Sequence, residues 1–527
     1  MKGPDANWIH GAPALRERID AALREDFRDA IVIAEYHRRR ILVVSTLEPS
    51  SQSDELVIKH FRPAARQSLA SVLKQRIGLA PALREWRNLG RLRSRGLHVP
   101  EALGVARMGS DEWLLVLARV EGQMLADALC DADRDAGALL AAVGSAVRDL
   151  HQTRTTHGDL HIGNVFVSAT GPLLLDFAAA HRALPGDSVK DIGSLDFSFA
   201  HHGVPDSLRK RFRDAALGES AGGLQRVERS ARAHGRRFHH SRCRRSLRPG
   251  RLYARAQLGN LRGMRRCDFS QHSLESAVAA HRHAIARGGP AVLKCDHRSR
   301  VSATVCDGKP VIVKEVTKGG VAKALADRFR GSPARRAWLA GVGLLARNIH
   351  AARPLAFLER IELAGASGSL LVLEDMRPAR PAGAFLSCDS ADDRGAAIDA
   401  LCTLAIQLHD SQVVHGDLQS HHIYLRREAD RMQAALIDLE GVRFPRTLSD
   451  AQRIRSLAEL NASLPDDLVS GEERGRAFRR YVTALPFKAN ALQVLEAIVS
   501  QSRARAHFWN GADCDLRGKD LLSPVGR

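Results

Sequence analysis

A chain of 527 residues with 44% apolar side chains has room for two to four domains and is too apolar for wholesale disorder. Its net charge of +20 points to anionic partners, while aromatic residues at only 5% argue against a protein that binds single-stranded nucleic acid by stacking. Eight cysteines with no CxxC pair and no Cys/His zinc spacing indicate neither a disulfide framework nor a structural metal. The N-terminal MKGPDANWIHGAPALRERID carries charges where a signal peptide has its apolar core, and no run of about 18 apolar residues occurs. The expected location is the cytoplasm.

In chain order, the first landmark is DELVIKHF, a β-branched run ending on Lys59. A helical stretch, APALREWRNLGRL, follows with Glu85, and then an apolar strand, EWLLVLARVEG (112–122). ALLAAVGSAVRDLHQ has the i, i+3, i+4 apolar spacing of a half-buried helix. It runs into His157-Gly-Asp159-Leu-His-Ile-Gly-Asn164, a short apolar strand, and Leu174-Leu-Asp176-Phe177. The chain then turns basic: between residues 224 and 266 Glu228 is the only acidic residue among many arginines. Such a field attracts nucleic acid, anionic lipid headgroups and phosphorylated glycans, and charge alone does not choose among them.

Beyond this stretch the order recurs. DGKPVIVKEV ends on Lys314, SPARRAWLAGVGLL is the matching helix, and GSLLVLEDM (368–376) the matching strand. AAIDALCTLAIQLHD leads to His415-Gly-Asp417-Leu-Gln-Ser-His-His422, and then to Leu436-Ile-Asp438-Leu439. Lys59 precedes Asp159 by 100 residues and Lys314 precedes Asp417 by 103. Asp159 and Asp176 are 17 residues apart and Asp417 and Asp438 are 21 apart, the extra four falling in READRMQAA, polar residues suited to a longer hairpin turn. The repeat predicts an α+β fold of two similar domains, 1–220 and 271–527, with 221–270 as an arginine-rich linker.

The repeated residues suit phosphoryl transfer from a nucleotide triphosphate, which is mainly a matter of positioning and charge neutralisation. A strand lysine, Lys59 or Lys314, binds ATP phosphates, and a helix glutamate, Glu85, holds the lysine. Asp159 or Asp417 stands at the acceptor hydroxyl, and Asn164, Asp176 and Asp438 offer the hard oxygen atoms that Mg²⁺ prefers. Asp159 and Asn164 match the HRDxxxxN loop of protein kinases, with Gly158 for Arg. His157 and His415 open the two loops.

Both halves resemble the protein-kinase-like superfamily. The second resembles the bacterial lipopolysaccharide kinase (Kdo/heptose kinase) family, on VVHGDLQSHHIYL, LIDLEGVRF and the helical tail within 453–484, with His422 where other kinases have Asn. HGDLHIGN of the first half is also similar to aminoglycoside phosphotransferases and RIO-type kinases. The resemblance implies two tandem bilobal domains, each with a small β-rich lobe and a mainly helical lobe. It further implies an ATP- and Mg²⁺-dependent transfer of the γ-phosphate to a sugar hydroxyl of the lipopolysaccharide inner core, at the anionic inner-membrane surface. Asp159 and Asp417 would be the bases, with nucleic acid the least favoured partner. Alternatives are a tandem pseudokinase scaffold for envelope biogenesis and a kinase acting on proteins or small molecules.

Some positions depart from the pattern. Neither ILVVSTLEPSSQSDELVIK nor SRVSATVCDGKPVIVK contains a GxGxxG loop, and Asp-Phe-Ala and Asp-Leu-Glu replace Asp-Phe-Gly. Ala337 stands where the first half has Glu85, so Lys314 is expected to anchor on Glu315 or Glu374. Without the helix carboxylate the second domain is expected to be weak or inactive.

Overall fold

The computed structural model describes residues 6–36, 39–44, 55–62, 80–109, 112–218, 222–316, 330–360, 368–387, 390–428 and 431–505. Residues 45–54 of the glycine-poor stretch before Lys59, and 429–430 of the READRMQAA insertion, lie outside the described residues. The chain forms two compact units, Met1–Gly235 and Arg236–Arg527.

In the first unit, strands β1 (Asn7–His10), β2 (Ile31–Tyr36), β3 (Arg39–Val44), β4 (Leu56–Phe61), β5 (Ala102–Met108) and β6 (Glu112–Ala118) make one antiparallel sheet in the order β1-β5-β6-β4-β3-β2. Successive strand residues face opposite sides, and this sorts the sheet's two surfaces. Leu56 and Ile58 of β4 and Leu114 and Val116 of β6 pack with Ile19 and Leu23 of the helix Pro13–Arg24. Trp113, Leu115 and Leu117 join Leu83, Leu89 and Leu92 of the helix Pro81–Arg93 on the other side. Full burial of side chains such as Leu114 and Leu115 stabilises by about 1.5–3 kcal/mol each. Lys59 lies two residues from Val57 on that second face, so it is aimed at the helix Pro81–Arg93.

The remainder of the unit is mostly helical. The helix Ala136–Gln152 begins at Asp135, whose carboxylate accepts the Ala138 amide, and buries Leu140, Val143, Val147 and Leu150. Short strands follow: β7 (Gly122–Met124) pairs with β9 (Val165–Ser168), β9 with β10 (Gly171–Leu174), and β8 (Thr155–Thr156) with β11 (His181–Arg182). The helices Asp187–His201 and Asp206–Leu217 close the lobe.

The second unit repeats this plan. Its strands are β12 (Tyr253–Leu258), β13 (Leu261–Arg266), β14 (Val292–Cys295), β15 (Ser299–Cys306), β16 (Lys309–Val316), β17 (Pro354–Glu359) and β18 (Ser369–Glu374). Their order is β12-β13-β17-β18-β16-β15-β14, so β13 through β14 retrace β1 through β2 and β12 is an addition. Val311, Val313, Leu370 and Val372 pack on Leu274, Ala277 and Val278 of the helix Gln271–Arg287. Leu371 faces Ala337 and Trp338 of the helix Pro333–Leu345. The helical lobe contains Ala391–Asp410, Asp450–Ala462, Gly471–Ala484 and Ala491–Arg503.

Two expectations change. The arginine-rich stretch is built into the fold: Gly223–Arg245 is one helix that buries Val227 and Ala231 and leaves Arg226, Arg229, Arg232, Arg236 and Arg237 exposed. Further on, β12 and β13 form a hairpin across Gly259-Asn260 and pair into the large sheet through β17. The four extra residues between Asp417 and Asp438 lengthen strands. The hairpin of β19 (Ile423–Glu428) and β20 (Arg431–Leu436) has six-residue strands where β9 and β10 have four.

Candidate active sites

The sheet delivers Lys59 to Glu85: Nζ lies 2.5 Å from Oε1, and the residues are 7% and 1% exposed. Burial pushes the Glu85 carboxyl up, while the ammonium of Lys59 pulls it down. Asp176 is close enough to feel both Lys59 and Arg39. Burial opposes its ionisation, yet the charge of Lys59 and the hydrogen bond from Arg39 hold its carboxyl below the ordinary value. Arg39 Nη1 is 2.5 Å from Asp176 Oδ2.

The loop carrying Asp159 is tied from several directions. Asp191, buried in the helix Asp187–His201, accepts the amides of His157 at 2.6 Å and Gly158 at 3.0 Å. Ser198 Oγ accepts the Ile162 amide at 3.1 Å. His157 Nε2 donates to the Leu175 carbonyl at 2.8 Å, and the Leu175 amide donates to the Asn164 carbonyl at 2.9 Å. Asn164 therefore sits beside the turn that presents Asp176, which is held in the left-handed region at φ 65°. The Asn164 amide nitrogen donates to the Asp159 carbonyl at 2.9 Å, which leaves its Oδ1 as an acceptor. Asp159 itself is exposed.

The glycine of each HGDL is required by the backbone. Gly158 has φ +81° and a Cβ there would lie 2.8 Å from the Ala179 carbonyl oxygen; Gly416 has φ +85° and would meet the Gly441 oxygen at 2.8 Å. The arginine of the HRD loop cannot occupy that position without strain.

The second unit reproduces the scaffold with altered contents. His415 Nε2 donates to the Ile437 carbonyl at 3.2 Å, the Ile437 amide donates to the His422 carbonyl at 2.9 Å, and Asp438 is left-handed at φ 54°. Ser463 Oγ accepts the Ser420 amide at 2.8 Å, as Ser198 does for Ile162. His422 takes the place of Asn164: its Nδ1 donates to the Asp417 carbonyl at 3.0 Å, which directs Nε2 toward Asp438 Oδ2, 3.8 Å away. Counted back seven residues from the paired serines, Ser456 stands where the first unit has Asp191.

Lys314 does not use the anchors expected from sequence. Glu315 points to the opposite face, where it meets His281 and Arg300, because neighbouring strand residues alternate. Glu374 lies in register with Val311, at the far end of β16. The anchor is Glu440, 2.7 Å from Nζ, together with Asp438 at 3.0 Å. Burial disfavours the charge on Lys314, and the two carboxylates outweigh it, raising its pKa; Asp438 is lowered in turn by Lys314 against its own burial. The lysine's counter-ion has thus moved from the helix to the loop after Asp438: Glu85 and Ala178 in one unit, Ala337 and Glu440 in the other.

Sequence reasoning left Asp191, Glu440 and Arg39 without a role. Asp191 had one signal, a carboxylate directly before the apolar helix stretch Ile192-Gly-Ser-Leu195; Glu440 stood in plain view in Asp-Leu-Glu. Among the described residues no cluster of three or more His, Cys, Asp or Glu side chains is arranged to hold a metal. Magnesium does not need one, since it is commonly held by one or two protein oxygens plus substrate phosphates. Asp176 with Asn164 Oδ1 fits that demand, and Asp438 with an imidazole nitrogen fits it less well.

A β-rich lobe carrying a lysine, a helical lobe carrying an HGD loop and a following left-handed aspartate, present twice, define a tandem of two protein-kinase-like units. The chain belongs to the lipopolysaccharide kinase (Kdo/WaaP) family, whose model matches residues 29–215 and 320–481. The second matched segment begins after Lys314. Among solved structures the chain is similar to WaaP in complex with acyl carrier protein, at 19% identity over 42% of this chain and 90% of that one, with a TM-score of 0.33. It is also similar to WbdD co-crystallised with the kinase inhibitor LY294002, at 17% identity over 37% of this chain and 48% of that one, TM-score 0.26. A further structure, of the bifunctional kinase-methyltransferase WbdD, matches at 16% identity over 37% and 47%, TM-score 0.25. No curated protein sequence matches. Among the described residues no helix is long and apolar enough to cross a membrane.

Proposed function

We propose that the first unit transfers the γ-phosphoryl group of ATP to a hydroxyl of a lipopolysaccharide inner-core sugar, Kdo or heptose, at the cytoplasmic face of the inner membrane. The observation that carries this reading is the buried Lys59–Glu85 pair at 2.5 Å standing within electrostatic reach of Asp176. Lys59 holds the ATP phosphates. Asp159 takes the acceptor's hydroxyl proton as the acceptor oxygen bonds to the γ-phosphorus and the bond to the β–γ bridging oxygen breaks, releasing ADP. Asp176 and Asn164 would hold Mg²⁺, which neutralises phosphate charge when bound. Asp191 keeps the Asp159 loop in place through the two amides before it. The exposed arginines of the helix Gly223–Arg245 favour an anionic membrane surface.

The test is incubation of the full chain with labelled ATP and inner-core glycolipid, beside Asp159→Asn and Asp417→Asn. Transfer that Asp159→Asn reduces by at least about a hundredfold supports the reading; absence of transfer, or equal activity of all three proteins, refutes it. For the second unit a regulatory role is favoured by Ala337 and His422: it would bind nucleotide and transfer phosphate slowly, so Asp417→Asn would leave most of the activity.

A further inference from the structure

Neither half has a glycine-rich sequence to offer backbone amides to phosphate, yet both carry basic residues leading into the strand that pairs with the lysine strand. The sequence leading into the partner strand of each lysine strand reads His37-Arg-Arg-Arg40 in the first unit, of which His37 and Arg38 lie outside the described residues, and His297-Arg-Ser-Arg300 in the second. The register fixes the correspondence. Ile41 pairs with Lys59 and Val301 with Lys314, so Arg39 and Ser299 occupy the same position, two residues before the partner of the lysine. Arg39 is the first residue of β3 and pairs with Tyr36, which puts it at the end of the β2–β3 ladder.

From that position the guanidinium reaches across the cleft to Asp176, 2.5 Å away, with its side chain 29% exposed. It also contributes to the field at Glu85. Arg39, Lys59 and Asp176 thus share one charged cluster, where the proposed reading places the triphosphate. In the second unit Ser299 removes this guanidinium, and the cation on Asp438 is Lys314 instead. A planar guanidinium binds two phosphate oxygens at once and stays charged when partly buried.

We infer that Arg39 is a phosphate-binding residue of the first unit, taking over from the missing glycine loop by gripping the terminal phosphates of ATP once the metal claims Asp176. This rests on the proposed function of the first unit. It makes the two units unequal: the first grips phosphate with Arg39 and Lys59, the second with Lys314 and a serine, Ser299, in the place of Arg39.

The experiment is calorimetric titration of the full chain carrying Asp438→Asn, to quiet the second site, with Mg-ATP and separately with adenosine. Arg39→Ala and Arg39→Lys are compared in that background. The expected result is Mg-ATP binding weakened by at least about tenfold in Arg39→Ala, partly restored in Arg39→Lys, with adenosine binding unchanged. Unchanged or tighter Mg-ATP binding in Arg39→Ala would overturn the inference and make Arg39 only a cap on Asp176. Equal weakening toward adenosine would overturn it in favour of a structural role. If the parent protein binds adenosine and Mg-ATP not at all, the reading of the first unit as an ATP site fails first, and the inference with it.

Discussion

His422 Nδ1 donates to the Asp417 carbonyl oxygen over 3.0 Å, the same bond that the Asn164 amide makes to Asp159 at 2.9 Å. A histidine at this loop position therefore keeps the backbone brace of the asparagine and exchanges an amide oxygen for an imidazole nitrogen beside Asp438. His422→Asn should leave the unfolding free energy of the full chain within about 0.5 kcal/mol of wild type. His422→Ala, which strips the Asp417 carbonyl of its donor, should cost about 1–2 kcal/mol. Urea unfolding of the two variants measures both numbers, and equal losses would show that the brace is not what His422 supplies.

Lys314 and Glu440 make a separate prediction. Removing Glu440 leaves Lys314 paired with Asp438, drawing the lysine onto the residue a metal would use. Glu440→Ala, in a chain whose first site is quieted by Asp176→Asn, should weaken Mg-ATP binding about tenfold by calorimetry, while Glu440→Asp retains most of it. Unaltered affinity in Glu440→Ala would remove Glu440 from the site.

The Lys59–Glu85 pair is buried on both sides, so its halves are worth more together than apart. Glu85→Ala alone should destabilise the first unit by about 3–5 kcal/mol, because it strands a buried ammonium. The double variant Lys59→Met with Glu85→Leu should recover most of that loss and still bind no Mg-ATP. Denaturant midpoints and calorimetry on the same preparations separate stability from binding.

His409 provides a pH prediction. Arg453 Nε donates to the Tyr481 hydroxyl oxygen at 2.9 Å, so the hydroxyl proton goes to His409 Nδ1 at 2.7 Å. Burial and the nearby Arg453 charge push the imidazole down to about 3. Folded His409 stays neutral while an unfolded histidine takes a proton near its ordinary value of about 6.5. The unfolded chain then binds the extra proton between those values, so this residue's contribution to stability falls as pH drops below about 6.5, by up to about 1.4 kcal/mol per pH unit. Urea midpoints at pH 7 and pH 5 should separate more in wild type than in His409→Gln; equal separations would contradict it.

The parts of the site that lie in contiguous motifs were legible: the two lysine strands, both HGDL loops and both trailing aspartates stand in short patterns with fixed spacing. Glu85 was legible because an amphipathic helix follows its lysine. Asp191 was not, since it acts on His157 and Gly158 through backbone amides more than thirty residues away, and no local pattern records such a bond. The start of the second unit was hidden by composition. Tyr253–Leu258 and Leu261–Arg266 read as part of a basic linker because arginine obscures their alternation, although Gly259-Asn260 between them is a hairpin signature. The anchor of Lys314 was misplaced for the opposite reason: Glu315 is nearest in sequence, and strand alternation sends it to the other face.

The two lysine partners also give the units different starting points. Lys59 is paired with Glu85 within its own lobe, so a metal that took Asp176 would displace Arg39 and leave the lysine in place. Lys314 is paired with Asp438 and Glu440, and an incoming metal must first win Asp438 from it. The same ligand would then find its lysine already set in one half and have to re-pair it in the other, which would lower its apparent affinity there even if the final contacts were equal. On the proposed reading, the first unit would fill before the second at limiting ATP.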